Sequence, residues 1–123
     1  MKIYLNLLAL ILLLHISACQ RDEEKAFLKG TYTHSAKGEF SIADDTLIVE
    51  PAEGNYFLIH RRTGYNLINN GQLGKRAYET EEWNTIYDQA SKTLTEIRKG
   101  RLITIYPDSG YIRVGKRKFI KKK

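Results

Sequence analysis

The side chains best equipped for chemistry fall in a few clusters. Glu79, Glu81 and Glu82, with Asp88, form the densest acidic group. Paired carboxylates can work as acid and base on glycosidic bonds or hold Ca²⁺. In an extended chain successive side chains alternate between faces, so Glu79 and Glu81 share one face and Glu82 takes the other. No Asp-rich loop with a central glycine accompanies them, and a charge run of this kind reads as a solvated face. Asp44 and Asp45 precede an apolar run and read as turn residues, whose side chains bond nearby amides. Beyond residue 18 the histidines are His34 and His60. Zinc needs three or four ligands, and no Gly-x-Ser-x-Gly is present to build a triad. His60-Arg61-Arg62 is cationic enough to grip a phosphate or carboxylate, but reads as the outward end of a strand. The expectation is therefore a non-enzymatic protein with no metal and no cofactor.

The elements that carry these residues read as strands almost throughout. Phe27 to His34 makes a first strand, Glu39 to Ile42 alternates, and Thr46 to Glu50 ends at Pro51. Tyr56 to His60 is rich in β-formers, Gly64 punctuates, and Tyr65 to Ile68 alternates again. Asn69-Asn70-Gly71 predicts a hairpin turn, since Asn and Gly tolerate positive φ. Residues 76–88 fit a strand or a short helix, because Tyr78, Glu82 and Trp83 share helical spacing while Thr85-Ile86-Tyr87 prefers strand; strand is the favoured reading. Lys92 to Arg98, Arg101 to Tyr106, Tyr111 to Val114 and Lys118 to Ile120 follow, with turns at Lys99-Gly100 and Pro107 to Gly110. Eight to nine short strands at this spacing predict an all-β antiparallel meander closed into a small barrel or sandwich, preceded by an N-terminal signal helix. Seven tyrosines from Tyr32 to Tyr111, with Trp83, are spread about one per strand and read as core and rim.

Charge is uneven. From Arg98 to Lys123 there are ten basic residues and one acid, Asp108, a net +9, whereas residues 19–97 carry a net −4. Arg98, Lys99, Arg101, Lys116, Arg117, Lys118, Lys121, Lys122 and Lys123 form a candidate contact surface for an anionic partner. Each such cation near an anionic surface contributes roughly 1 kcal/mol, within a Debye length. The competing reading is a solvated terminus that protects strand edges.

The N-terminus carries an address. Lys2, then an apolar core from Leu5 to Leu14, then small residues, has the pattern of a secretory signal. The apolar run falls short of the roughly 20 residues that a membrane-spanning helix needs. Ile16-Ser17-Ala18-Cys19 resembles the bacterial lipobox, in which an aliphatic and two small residues precede a modified cysteine. The resemblance implies that Cys19, the single cysteine, takes a diacylglycerol on sulfur and becomes the mature N-terminus. It divides the chain into residues 1–18 as signal peptide, 19–26 as tether and 27–123 as one β-barrel-like domain. Gln20-Arg21-Asp22-Glu23-Glu24 resembles the surface-export signal of Bacteroidetes lipoproteins, which implies a lipid-anchored place on the outer face of the outer membrane. The alternative is a plain solvated tether.

Gly30-Thr31-Tyr32 resembles the Gly-x-Trp signature that opens lipocalin-like barrels, with tyrosine in place of tryptophan. These readings combine into a lipid-anchored binding or accessory module of the cell outer membrane. Its partners would be the membrane, through the lipid, and an anionic envelope surface or acidic protein, with no sequence-specific nucleic acid. Two alternatives stand beside it: a small-ligand carrier with a lipocalin-like cavity, and a small inhibitor of an envelope enzyme that uses the loop Asn69 to Lys75.

Overall fold

A computed structural model describes residues 2–123; Met1 and the side chains of residues 10–22, with Cys19 and most of the signal-peptide reading among them, lie outside the described residues. Helix α1 (Lys2–Leu28) comes first. Nine strands follow: β1 (Gly30–Lys37), β2 (Ser41–Pro51), β3 (Tyr56–Asn69), β4 (Gln72–Leu73), β5 (Ala77–Asp88), β6 (Thr93–Glu96), β7 (Leu102–Tyr106), β8 (Tyr111–Val114) and β9 (Arg117–Lys121). Eight of them pair antiparallel in chain order, with β4 a two-residue addition to β3. The ring closes where β9 returns to β1, through Tyr32–Lys121 and Thr33–Ile120. The expected all-β meander is thus an eight-stranded up-and-down barrel rather than a sandwich. Closure satisfies the main-chain donors and acceptors that an open sheet would expose.

Alternation builds the core. Leu47 and Val49, Phe57 and Ile59, Trp83 and Tyr87, Leu94, Ile103 and Ile105, Ile112 and Phe119 all turn inward and are buried. Thr85 is buried among them and donates its hydroxyl to the Phe57 carbonyl at 2.8 Å. The middle of the barrel is therefore a packed core. Asn70 and Gly71 adopt φ of 53° and 76°, the left-handed pair that a two-residue hairpin requires, as Asn69-Asn70-Gly71 predicts.

Several expectations are corrected. Phe27 and Leu28 end the helix instead of opening the first strand, and residues 23–26 are helical rather than a loose tether. Leu28 is fully buried, so the helix gains by extending into contact with the barrel. Gly64 does not interrupt the chain: β3 runs unbroken through it. A Cβ there would stand 2.5 Å from Arg76 Nη2, so glycine makes room for Arg76 to cross the outer face of the strand. Residues 77–88 are strand, with Arg76 just before it, because Glu81, Trp83, Thr85 and Tyr87 face one way together. Asp44 and Asp45 lie within β2, not in a turn before it.

The two ends of the barrel differ. Antiparallel alternation puts the end of α1, the β2–β3, β5–β6 and β7–β8 connections and the C-terminus at one end. That end is closed by α1. Tyr32 donates its hydroxyl to the Phe27 carbonyl (2.5 Å), Tyr87 to Glu24 (2.6 Å), and Lys121 Nζ donates to the Phe27 carbonyl (2.6 Å). Burial pushes the Tyr32 and Tyr87 hydroxyls well above the ordinary phenol range, Glu24 adding to the second, and pushes the Lys121 ammonium down. Lys121 occupies the carbonyl end of the helix, where a cation is favoured and orphan acceptors need donors. Substitution Lys121→Met should loosen this end by about 1 kcal/mol. The check is faster amide exchange over residues 23–28 with no change in β5.

Candidate functional site

At the other end lie the turns after β1, β3, β6 and β8, and this end is open. Its inward side chains are polar. Asp45 of β2, 5% exposed, accepts from Arg61 of β3 through Nη2 at 2.7 Å and Nε at 3.0 Å, and from the Thr63 hydroxyl at 3.1 Å. Arg61 Nη1 also donates to Glu81 of β5 at 3.3 Å. Arg101, just before β7, donates to Glu81 at 3.1 Å and to buried Glu96 of β6 at 3.4 Å. Lys99 approaches Glu81 at 3.7 Å and Arg117 of β9 approaches Asp45 at 3.6 Å. Four cations thus face three carboxylates around the mouth.

Beneath them lies Trp83. The Arg101 guanidinium stands 4.6 Å from its ring centroid and that of Arg61 5.5 Å, so both sit over the indole face. The Trp83 ring is buried, and its Nε1–H has no hydrogen-bond partner. Two adjoining clefts open here. One of about 370 Å³ is lined by Trp83, Leu102, Val114 and Phe119 with Arg61, Arg101 and Arg117. A second of about 600 Å³ shares Arg61 and Arg117 and runs past Tyr65, Leu67 and Glu79.

Ionisation follows from this packing. Hydrogen bonding to Asp45 outweighs burial and holds Arg61 more firmly protonated than usual. Burial pushes the Glu81 carboxyl up, but the hydrogen bond and charge of Arg101, with Lys99, hold it below the usual range. The Trp83 indole lowers it further without reaching hydrogen-bond geometry. A depressed carboxylate pKa stabilises the fold fully above the ordinary value, about 4.3, and loses that contribution as pH falls through the folded value. Substitution Glu81→Gln should therefore flatten the acid side of the stability curve below about pH 5. Melting temperatures of both proteins across a pH series check this.

The expected contact residues are divided between the two ends. Arg98, Lys99, Arg101, Lys116 and Arg117 belong to the turns and strand starts of the open end, whereas Lys121, Lys122 and Lys123 lie at the helix end. Lys118 is on the outer face, its Nζ 4.2 Å from the Tyr111 ring centroid. Arg101 and Arg117 turn inward into ion pairs, so the nine do not make one surface. Of the acidic cluster, Glu81 enters the site, Glu79 lines the wider cleft and Glu82 points outward to His60 at 3.2 Å. His60 is mid-strand, between Glu50 and Glu82, rather than at a strand end. His34 Nδ1 lies 2.9 Å from the Lys118 carbonyl. The Asn69 to Lys75 segment folds back on β3, with Gly74 N donating to the Leu67 carbonyl at 2.7 Å, and does not protrude as a free loop. The tyrosines are not gathered at one mouth: Tyr32 and Tyr87 are at the helix end and Tyr65 lines the open one. Among the described residues no three or more His, Cys, Asp or Glu side chains are placed to hold a metal ion, and no helix is long and apolar enough to cross a membrane.

Asp45 and Arg61 are the candidate-site residues that the sequence reading misplaces, the first as a turn residue and the second at the outward end of a strand. The signal for them is parity: Asp45 is in phase with Leu47 and Val49, and Arg61 with Phe57 and Ile59.

Comparison of the chain with protein-family models, curated proteins and solved structures gives no match.

Proposed function

We propose that this protein is a lipid-anchored, non-enzymatic binding module of the bacterial outer membrane, tethered through Cys19, and that it engages an anionic partner with the open end of its barrel. The observation that carries the reading is the set of inward-facing arginines, Arg61, Arg101 and Arg117, over an apolar floor at the end opposite α1. A tether at the helix end leaves that mouth facing away from the membrane. The lipobox resemblance supports the anchor, and the excess of cations at the mouth supports an anionic partner. A packed barrel centre favours binding at the mouth over carriage in a deep cavity.

The anchor is tested by radiolabelled palmitate incorporation in a bacterial host, with label expected on the wild type and none on Cys19→Ala. The mouth is tested by salt elution of the full chain, in neutral detergent, from a dextran-sulfate column. A Lys99→Ser/Lys116→Ser/Arg117→Gln variant should elute at clearly lower salt, since each lost contact reduces counterion release. A Lys122→Ser/Lys123→Ser variant should elute close to wild type. The reverse order would place the contact at the helix end and overturn the reading.

A further inference from the structure

We infer that the smaller cleft at the barrel mouth is a seat for a small organic monoanion, a carboxylate on a compact apolar body; this rests on the mouth being the binding face. The cleft of about 370 Å³ is within the size range of small-molecule sites. Its walls and floor divide by chemistry: Arg61, Arg101 and Arg117 supply charge, and Trp83, Val114 and Phe119 supply apolar contact. An inorganic anion would leave that apolar lining unused, and a neutral apolar molecule would leave the arginines unused.

Charge sets the valence. Arg61, Arg101, Arg117 and Lys99 face Asp45, Glu81 and Glu96, an excess of one positive charge. One added negative charge balances this ion-paired network. A dianion overshoots, and does so beside two carboxylates that are only 5% and 4% exposed, where like-charge repulsion is poorly screened. Donors remain available as well. Arg101 uses only Nη1 in its hydrogen bonds, and Arg117 makes none, only the 3.6 Å approach to Asp45. An arginine fork matches a carboxylate in geometry. The Trp83 N–H lies buried in the same wall, beside Glu81 and without a hydrogen-bond partner, so it reports on changes in the cleft.

Trp83 is the single tryptophan of the chain, so the full chain labelled with ¹⁵N in neutral detergent gives one indole N–H resonance, which reports on this cleft. Benzoate should shift that resonance saturably, with Kd on the order of 1 mM for so small a fragment. Benzyl alcohol and inorganic phosphate, titrated alike, should bind clearly more weakly. Substitution Arg117→Gln, at a side chain 60% exposed and so harmless to folding, should weaken benzoate about tenfold. Equal binding of phosphate would overturn the apolar half of the inference, and equal binding of benzyl alcohol its charged half. No saturable shift with any probe would overturn the inference as a whole. The dextran-sulfate result is independent of all three titrations, so a failed seat is distinguishable from a failed mouth.

Discussion

Substitution of Trp83 by alanine should destabilise the barrel by about 4 kcal/mol, the usual range for removing a large buried aromatic. Trp83 is 2% exposed and is among the largest fully enclosed side chains of the core. Its loss leaves a cavity that the closed ring cannot collapse to fill, because the eight strands are held by ladders on both sides. It also removes the ring beneath Arg61 and Arg101, an interaction that contributes about 1 kcal/mol or more when desolvated. For a domain of this size about 4 kcal/mol lowers Tm by roughly 15–30 °C. Urea unfolding followed by tyrosine fluorescence measures it, with Trp83→Phe as the companion that keeps the ring and loses clearly less. A loss below about 2 kcal/mol for the alanine variant would mean that the mouth is not supported by the core.

Substitution Asp45→Ala should cost about 3 kcal/mol. Breaking a buried ion pair by removing one partner typically costs 3–5 kcal/mol, because a charge is left without compensation. The lower end applies here, since Arg61 keeps Glu81 and its side chain is 21% exposed. Pairing Asp45→Leu with Arg61→Met should recover most of the stability, since apolar side chains of similar volume are often equivalent to a buried pair. A double-mutant cycle measures the coupling, and a value under about 0.5 kcal/mol would show that the two charges are independently solvated.

The strands were legible because a half-buried strand writes its geometry directly into alternation. Leu47 and Val49, or Ile103 and Ile105, are recognisable without any structure. The hairpin at Asn70-Gly71 was legible for a similarly local reason, since few residues accept positive φ. Gly64 misled because a glycine in a strand signals either a break or a close approach, and only the position of Arg76 distinguishes the two. Phe27 and Leu28 misled because a short apolar pair fits the end of a helix as well as the start of a strand. Asp45 and Arg61 were hidden by type: charge usually marks the outer face. At the mouth of a small barrel the inward face reaches water, so charged residues can keep the inward phase if they find partners there.

By itself the sequence determined the local and the periodic: an all-β meander, most of its turns, the apolar N-terminal run and the cationic last third. It also placed Glu81 and Trp83 in phase on one strand, the favoured reading of residues 76–88, because side-chain direction is a property of the strand alone. Only the tertiary structure decided that the sheet closes, that α1 covers one end and leaves the other open, and that residues far apart in sequence meet in the mouth. Closure depends on strand tilt and register summed around the whole ring, which no single segment encodes. The partition of the basic residues between mouth and helix end follows from the same closure, since antiparallel neighbours send successive turns to opposite ends.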